Sequence, residues 1–529
     1  MILKEKQRDL IIFFGVFIVN MCVAFESFGV AVSSNILEGV FAVDPTWVGW
    51  LTPSYLFGLV TTVLLQPYLV NIADEKKRLC FALIASCGIT ALYFYRMEFI
   101  IFTFLRYLLG FFGGIILNHG GNILTQIKEE NLPIFLRTFD HHIYEVCLGL
   151  SALLGGVVSQ YFQWRFLFIL EIVFYSLSLL CIYFLIKAPE KAPIVVEKPK
   201  KKSIFVTLGF FFCLYLYLSQ LKEPWNTMGF FSDFSLILLV ITVALGFVFF
   251  KQVCNHDPYL FDLRVLKDPH LCLGVFGVFA SRLATYGPII LFARLMLDIY
   301  LFQYSSMGIV MGSYGLGLLV FGIFSYFLFR SSFLDKKKLV YFALIILASA
   351  SFTTRYLTIL SEPKFIAFLI FFYSLGISLL VRSSTLFDHH CASDYIKHQA
   401  QHWLAIASLV ASLLVKPIFQ IILIFRYTYH FLIFSEQAGQ VRAPLFFLHQ
   451  QYGAFTNQHA IPGLYSAKDN AKVYLADQIT KQAYLAGFDD FCFLLGIFYL
   501  FSLGFFFILF SRYEKNKAAD QSIANSERA

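Results

Sequence analysis

Residues 99–124 read Phe-Ile-Ile-Phe-Thr-Phe-Leu-Arg-Tyr-Leu-Leu-Gly-Phe-Phe-Gly-Gly-Ile-Ile-Leu-Asn-His-Gly-Gly-Asn-Ile-Leu. At about 1.5 Å per residue, a helix of this length crosses a hydrocarbon core of roughly 30 Å. Its apolarity is continuous rather than alternating, which excludes a strand of an outer-membrane barrel. One cation, Arg106, sits inside the run. An ionisable group within a span is costly and defaults to a functional role.

Similar blocks recur along the 529 residues. The expected spans are 9–31, 48–70, 79–95, 99–124, 142–160, 164–187, 203–221, 232–250, 270–293, 307–329, 339–359, 364–384, 402–425 and 489–511. The fold class is therefore an all-α polytopic membrane protein with fourteen transmembrane helices. Composition agrees. Hydrophobic residues make up 59% and charged residues 14%, where a soluble protein carries about 25% charged. Mean hydropathy is +0.72. Too little polar surface exists to cover a water-soluble globule, so lipid is the solvent for most side chains. The 64 Phe residues read as lipid-facing filler.

Lys and Arg set the orientation. With the amino terminus inside, well over half of the 41 basic residues fall in cytoplasmic segments. Lys76, Lys77 and Arg78 form one cluster, Lys198, Lys200, Lys201 and Lys202 a second, and Lys336, Lys337 and Lys338 a third. The net charge of +8 thus faces anionic lipid rather than nucleic acid. Lys4, Lys6 and Arg8 precede an apolar run too long for a signal peptide, with no small-x-small cleavage site close behind. It reads as a retained first span. The expected location is the bacterial cytoplasmic membrane, with both termini cytoplasmic.

Residues 1–187 form an expected amino-terminal six-helix half, and 188–202, rich in Pro and Lys, a cytoplasmic linker. Residues 203–250 are two inserted helices. Residues 251–511 form a second six-helix half with a long external loop at 426–488, and 512–529 a cytoplasmic tail. Within that loop, 466–487 has an amphipathic, helix-compatible pattern, suited to the membrane surface or the external mouth. Phe139-Asp140-His141-His142 recurs as Phe387-Asp388-His389-His390, before the fifth and thirteenth spans. With the two inserted helices set aside, the copies occupy equivalent loops of two parallel halves, a transporter trait.

Several motifs, in order, resemble the fourteen-span drug:proton antiporter branch of the major facilitator superfamily. Trp50-Leu51-Thr52-Pro53-Ser54-Tyr55 is similar to that branch's second-helix opening, and Arg106 through Gly114 to its fourth-helix motif. Gly155-Gly156 with Trp164-Arg165-Phe166 resembles the junction of helices five and six. Asp257-Pro258 with Asp262-Leu263-Arg264, and Gln482-Ala483 with Asp489-Asp490-Phe491, resemble the segments before helices nine and fourteen. The resemblance implies two six-helix halves plus two inserted helices, alternating access, and helix packing at Gly110, Gly113, Gly114, Gly155 and Gly156. It also implies a gating loop after helix two. There the chain keeps Ala73, Asp74 and Arg78 but lacks the family's glycines, and its fifth helix lacks the antiporter proline.

Four intramembrane charges are the candidate site residues. Glu26, deep in the first span, is placed to load and release a proton; the competing reading is permanent pairing with a neighbouring span. Arg106 either holds an anionic group or tunes a nearby carboxylate, against a packing ion pair. Arg282 in the ninth span suits an anionic or zwitterionic substrate, against pairing with Glu171 or another acid. Glu171, in the outer part of the sixth span, completes the expected cavity group with Arg106 and Arg282. Lys416, before Pro417, reads as a snorkelling residue, and His119 as a satisfied polar group.

Other chemistries find little support. The ten cysteines are scattered without repeated spacing, so neither disulfide framework nor zinc site is indicated. His398 and His402 share a helical face near His389, His390 and Cys391, but no ligand set in register follows. No phosphate-binding lysine loop and no nucleophile elbow appear. No enzyme activity, cofactor or metal is expected. The leading function is proton-coupled export of a drug, toxic metabolite or secreted product. The alternatives are carriage of an anionic metal chelate or carboxylate, and a non-transporting receptor or scaffold on a transporter fold. Expected partners are a small-molecule substrate, protons and lipid; an envelope adaptor is not identifiable from the sequence.

Overall fold

The computed structural model describes residues 5–43, 45–69, 75–95, 97–124, 132–133, 136, 143–185, 201–220, 232–254, 269–330, 336–388, 394–440 and 467–526. Its long helices are α1 (Glu5–Ala24), α2 (Leu51–Leu69), α3 (Glu75–Leu92), α4 (Phe99–Leu124), α5 (Ile143–Tyr161), α6 (Arg165–Leu185) and α7 (Lys201–Gln220). Then follow α8 (Asp233–Cys254), α9 (Pro269–Asp298), α10 (Tyr304–Arg330), α11 (Lys336–Thr353), α12 (Pro363–Asp388), α13 (Asp394–Gln440) and α14 (Ala467–Ser526). A π turn, Phe25–Gly29, and one further α-turn, Val30–Val32, extend α1. The shorter helices Ser34–Phe41 and Pro45–Val48 lead into α2. No strand occurs among the described residues. Each long helix overlaps one expected span, and among the described residues 11 helices are long and apolar enough to cross a membrane by length and composition. This is a multi-pass membrane protein.

The packing is inside-out relative to a soluble bundle. Phe184, Phe205, Phe247 and Phe501 are exposed, whereas Glu26, Arg106 and Glu171 are fully buried. Lipid solvates the former, and only other protein groups can satisfy the latter. Burial also ranks the helices. In the apolar window of the first span 72% of residues are buried, and in that of α8 only 22%. The first helix is therefore central and α8 peripheral.

Helix contacts repeat with a shift of eight. The α1 helix packs on α4, α5 and α6, and α9 packs on α12, α13 and α14. Likewise α2 meets α4 as α10 meets α12, and α3 meets α4 and α6 as α11 meets α12 and α14. Two seams join these sets, α5 with α10 and α2 with α13, and the same shift exchanges them. This is the signature of parallel repeats about an axis along the membrane normal. The α7–α8 pair docks at the α2–α13 seam. Trp50 and Phe57 on the α2 side meet Tyr215, at 5.3 and 5.5 Å between ring centroids. Val60, Val63 and Leu64 share a core with Ile204, Val253 and Ile406. Of the paired Phe-Asp-His-His segments, only Phe387 and Asp388 lie within the described residues, at the end of α12.

The 466–487 stretch is not a separate helix. From Ala467 it runs into α14 as one helix. Gly487 lies against the Tyr427 backbone of α13. Arg426 and His430 of α13 both bind the Asp490 carboxylate, His430 at 2.6 Å. These charges tie the two long helices together, with Arg426 and His430 just past the expected limit of their span and Asp490 at the start of its own.

Candidate functional site

The four candidate charges fall into two separate clusters. The first lies within α1, α2, α4 and α6. Arg106 Nη1 donates to Glu26 Oε2 at 2.7 Å, Nη2 to the Glu26 carbonyl at 2.6 Å, and Nε to the Leu51 carbonyl at 2.8 Å. Both side chains are wholly buried. The π turn makes this geometry available: Val30 N–H reaches back five residues to Phe25 O, not to Glu26 O as in an α-helix, and the Glu26 carbonyl receives Arg106 instead. Such insertions are frequent at functional sites. Tyr55 lies 5.8 Å under the guanidinium and donates its hydroxyl to Val23 O.

Glu171 belongs to this cluster rather than to Arg282. Its carboxyl interacts electrostatically with Glu26 and Arg106. Neither of its oxygens has an aligned hydrogen-bond partner, and neither does Glu26 Oε1. The hydroxyls of Tyr93 and Tyr175 are also buried without partners. One guanidinium thus faces two carboxyls in a site closed to solvent. Ionisation of both would leave one uncompensated negative charge in low dielectric.

The second cluster bridges the two helix sets. Arg282 on α9 forms an ion pair with Glu145 on α5, Nη1 to Oε1 at 2.9 Å. The approach is close but not aligned as a hydrogen bond, so Nη1 keeps unspent donor capacity. Arg282 Nε donates to Ser408 Oγ on α13 at 2.7 Å. The guanidinium stands 5.6 Å from the Tyr144 ring centroid. Tyr144 and Tyr286 join through their hydroxyls at 3.2 Å, and Tyr286 packs on Phe28. The Arg282 side chain is 18% exposed and that of Glu145 4%.

Glu145 is the residue that sequence reasoning passed over. An acid three positions inside an apolar block was the available signal, weakened because it stood next to the polar Phe-Asp-His-His segment. Arg426, His430 and Asp490 also went unnoticed as a group, because their meeting depends on how α13 and α14 cross.

The packing glycines divide in the same way as the charges. Gly110, Gly113 and Gly114 of α4 face Tyr55 and Thr62 of α2. Gly155 faces Gly29 of α1. Gly156 instead meets Gly308 across the α5–α10 seam, where Gly149 likewise meets Gly315. A side chain at Gly149 would collide with the Gly315 backbone, so this seam closes only with glycine. Arg78, expected in the loop after α2, lies in the first turn of α3 and donates to the Leu69 carbonyl at the end of α2 at 2.9 Å. Asp74 lies outside the described residues, as do the side chains of His119, His398 and His402. No group of metal-ligating side chains occurs among the described residues.

No family model and no curated protein matches the chain in sequence. Solved structures do match its shape. A bacterial homologue of the human lysosomal transporter Spinster, inward-facing and unoccupied, superposes with a TM-score of 0.53. The alignment covers 95% of this chain and 97% of that one at 11% identity. A D-xylose–proton symporter gives a TM-score of 0.52 at 13% identity, covering 78% of this chain and 89% of that one. Together with the repeated helix contacts and the two exchanged seams, these likenesses establish that the chain has the major facilitator fold.

Proposed function

We propose that this protein is a secondary active transporter that works by alternating access and couples export of small organic molecules to protons. The carrying observation is the sealed trio Glu26, Arg106 and Glu171, in which Arg106 is ion-paired with Glu26 and Glu171 interacts electrostatically with both. A proton held on either acid balances the charge and supplies the donor that the orphaned oxygens lack. Movement of α4 or α6 against α1 changes how the guanidinium is shared, and so the cost of keeping that proton. The two seams supply surfaces on which the halves can rock, and the glycine contacts of α5 and α10 allow sliding without interlocking side chains. The charge distribution supports a bacterial cytoplasmic membrane with both termini inside.

Carriage of an anionic chelate or carboxylate is the second transport reading, and it rests on Arg282. The partly exposed Arg282 side chain, whose Nη1 has no aligned acceptor, favours it. A scaffold without transport predicts no coupled flux.

The test is reconstitution in liposomes with an imposed pH gradient and an internal pH dye. Ethidium, citrate and phenylalanine serve as cationic, anionic and amphoteric probes. Probe-dependent proton movement is expected for at least one. Absence of any movement, with protein shown to be folded and inserted, would remove the transport reading. Orientation is checked with single cysteines at the exposed positions Lys202 and Ala476. An impermeant thiol reagent outside intact cells should label the second and spare the first.

A further inference from the structure

We infer that the Glu145–Arg282 pair is the recognition site for an amphoteric substrate, one carrying a carboxylate and an ammonium on an aromatic or apolar body. This rests on the transport reading, since it names the cargo of the same protein. Four observations on different helices converge. The pair spans the two helix sets, Glu145 from α5 and Arg282 from α9. It is the incomplete pair: Arg282 Nη1 has no aligned acceptor, whereas Arg106 spends Nε, Nη1 and Nη2 on three acceptors. Its arginine side chain is 18% exposed, although Nη1 itself is buried. Its surroundings are aromatic: Tyr144 lies against the guanidinium and bonds Tyr286, Tyr286 packs on Phe28, and Tyr314 donates to Thr285 next to Tyr286 in sequence.

Charge counting selects the ligand. A carboxylate that takes Arg282 from Glu145 leaves the acid buried and uncompensated unless the ligand also brings a cation. A purely cationic ligand strands Arg282 in the same way. An amphoteric ligand replaces both halves of the pair at once, its carboxylate on the guanidinium in the fork geometry that Arg favours and its ammonium on Glu145. Tyr144 and Tyr286 then offer ring faces to the body of the ligand and to its ammonium. Insertion also parts the one ion pair found between the two helix sets among the described residues, which links loading of the site to movement of the halves.

The experiment uses full-length protein in nanodiscs and three probes of one shape: phenylalanine, 3-phenylpropionate and phenethylamine. Phenylalanine should bind saturably, about tenfold or more tighter than either singly charged probe, as expected when a buried charge would otherwise be stranded. Glu145→Gln should erase that preference, weakening phenylalanine and strengthening 3-phenylpropionate. Arg282→Lys keeps the charge and serves as the folding control, with a smaller loss. No saturable binding of phenylalanine, or equal binding of 3-phenylpropionate by the unmodified protein, overturns the proposal and leaves the pair as a structural clasp. Uptake into liposomes separates the two readings. Phenylalanine binding without flux sinks the transport reading alone, and ethidium flux without phenylalanine binding sinks this site alone.

Discussion

Arg106 and Arg282 each meet a glutamate inside the membrane, yet the two pairs are built for different work. The Arg106 pair lies within one set of helices, at zero exposure, with three donors satisfied. The Arg282 pair lies between the sets, partly open, with donor capacity unspent. A charge sealed and saturated holds a structure together. A charge that is partly exposed, unsaturated and shared between two helix sets is placed to exchange its partner. The contrast extends to the glycines. Those facing Tyr55 and Thr62 close α4 on α2 within a half, and those at 149 and 156 close α5 on α10 between halves.

The largest expected effect breaks the first pair. Arg106→Ala strands Glu26 in a dry interior and should cost on the order of 3–5 kcal/mol, read as loss of monodisperse protein on fluorescence-detected gel filtration. Arg282→Ala, with solvent able to reach the site, should cost about 1–2 kcal/mol and leave the protein folded. Equal losses would dissolve the distinction.

Glu26→Gln comes next. It keeps shape and most hydrogen bonding but removes the ionisable group, so gradient-driven accumulation should disappear while probe exchange at equal pH persists. Undiminished accumulation would take Glu26 out of the coupling and leave Glu171 as the acid to test.

Glycine substitutions sharpen the comparison at intermediate size. Gly110→Ala overpacks α4 against α2 and should lower stability by roughly 1–3 kcal/mol, visible as a fall in melting temperature. Gly149→Ala should shift melting less, because the halves can separate slightly as bodies, and should slow flux more. The reverse order would place the rigid contact at the seam.

The smallest effect is expected from Arg282→Lys. Charge is retained, but the forked geometry and the Ser408 bond are lost. Stability should change by under about 1 kcal/mol, with the visible defect confined to probe affinity. A defect in folding instead would make Arg282 a packing residue.

Much of this organisation was legible along the chain. Fourteen apolar blocks and the Lys and Arg bias follow from what bilayer thickness and insertion demand, which are local properties of a helix. Glu26 and Arg106 stood out because each is a lone charge in an apolar run. Their partnership was a guess from inward-facing positions, and the π turn that frees the Glu26 carbonyl had no sequence signal. The grouping of Glu171 with Arg282 illustrates the limit. Glu171 lies beside Glu26 instead, and Arg282 reached across to Glu145. Which acid neutralises which cation depends on helix rotation and crossing, and those are set by the sum of many weak side-chain contacts.

By itself, then, the sequence determined that the chain lives in lipid, where its helices lie and which charges must be accounted for, because apolar length and the cost of a buried charge act residue by residue. Only the tertiary structure decided that α5 closes on α10 through glycines, that α7 and α8 dock at the α2–α13 seam, and that the charges divide into a sealed trio and an open pair. Those outcomes depend on contacts between residues far apart in the chain, such as Glu26 with Arg106 and Glu145 with Arg282. No local pattern encodes the angle at which two such helices meet.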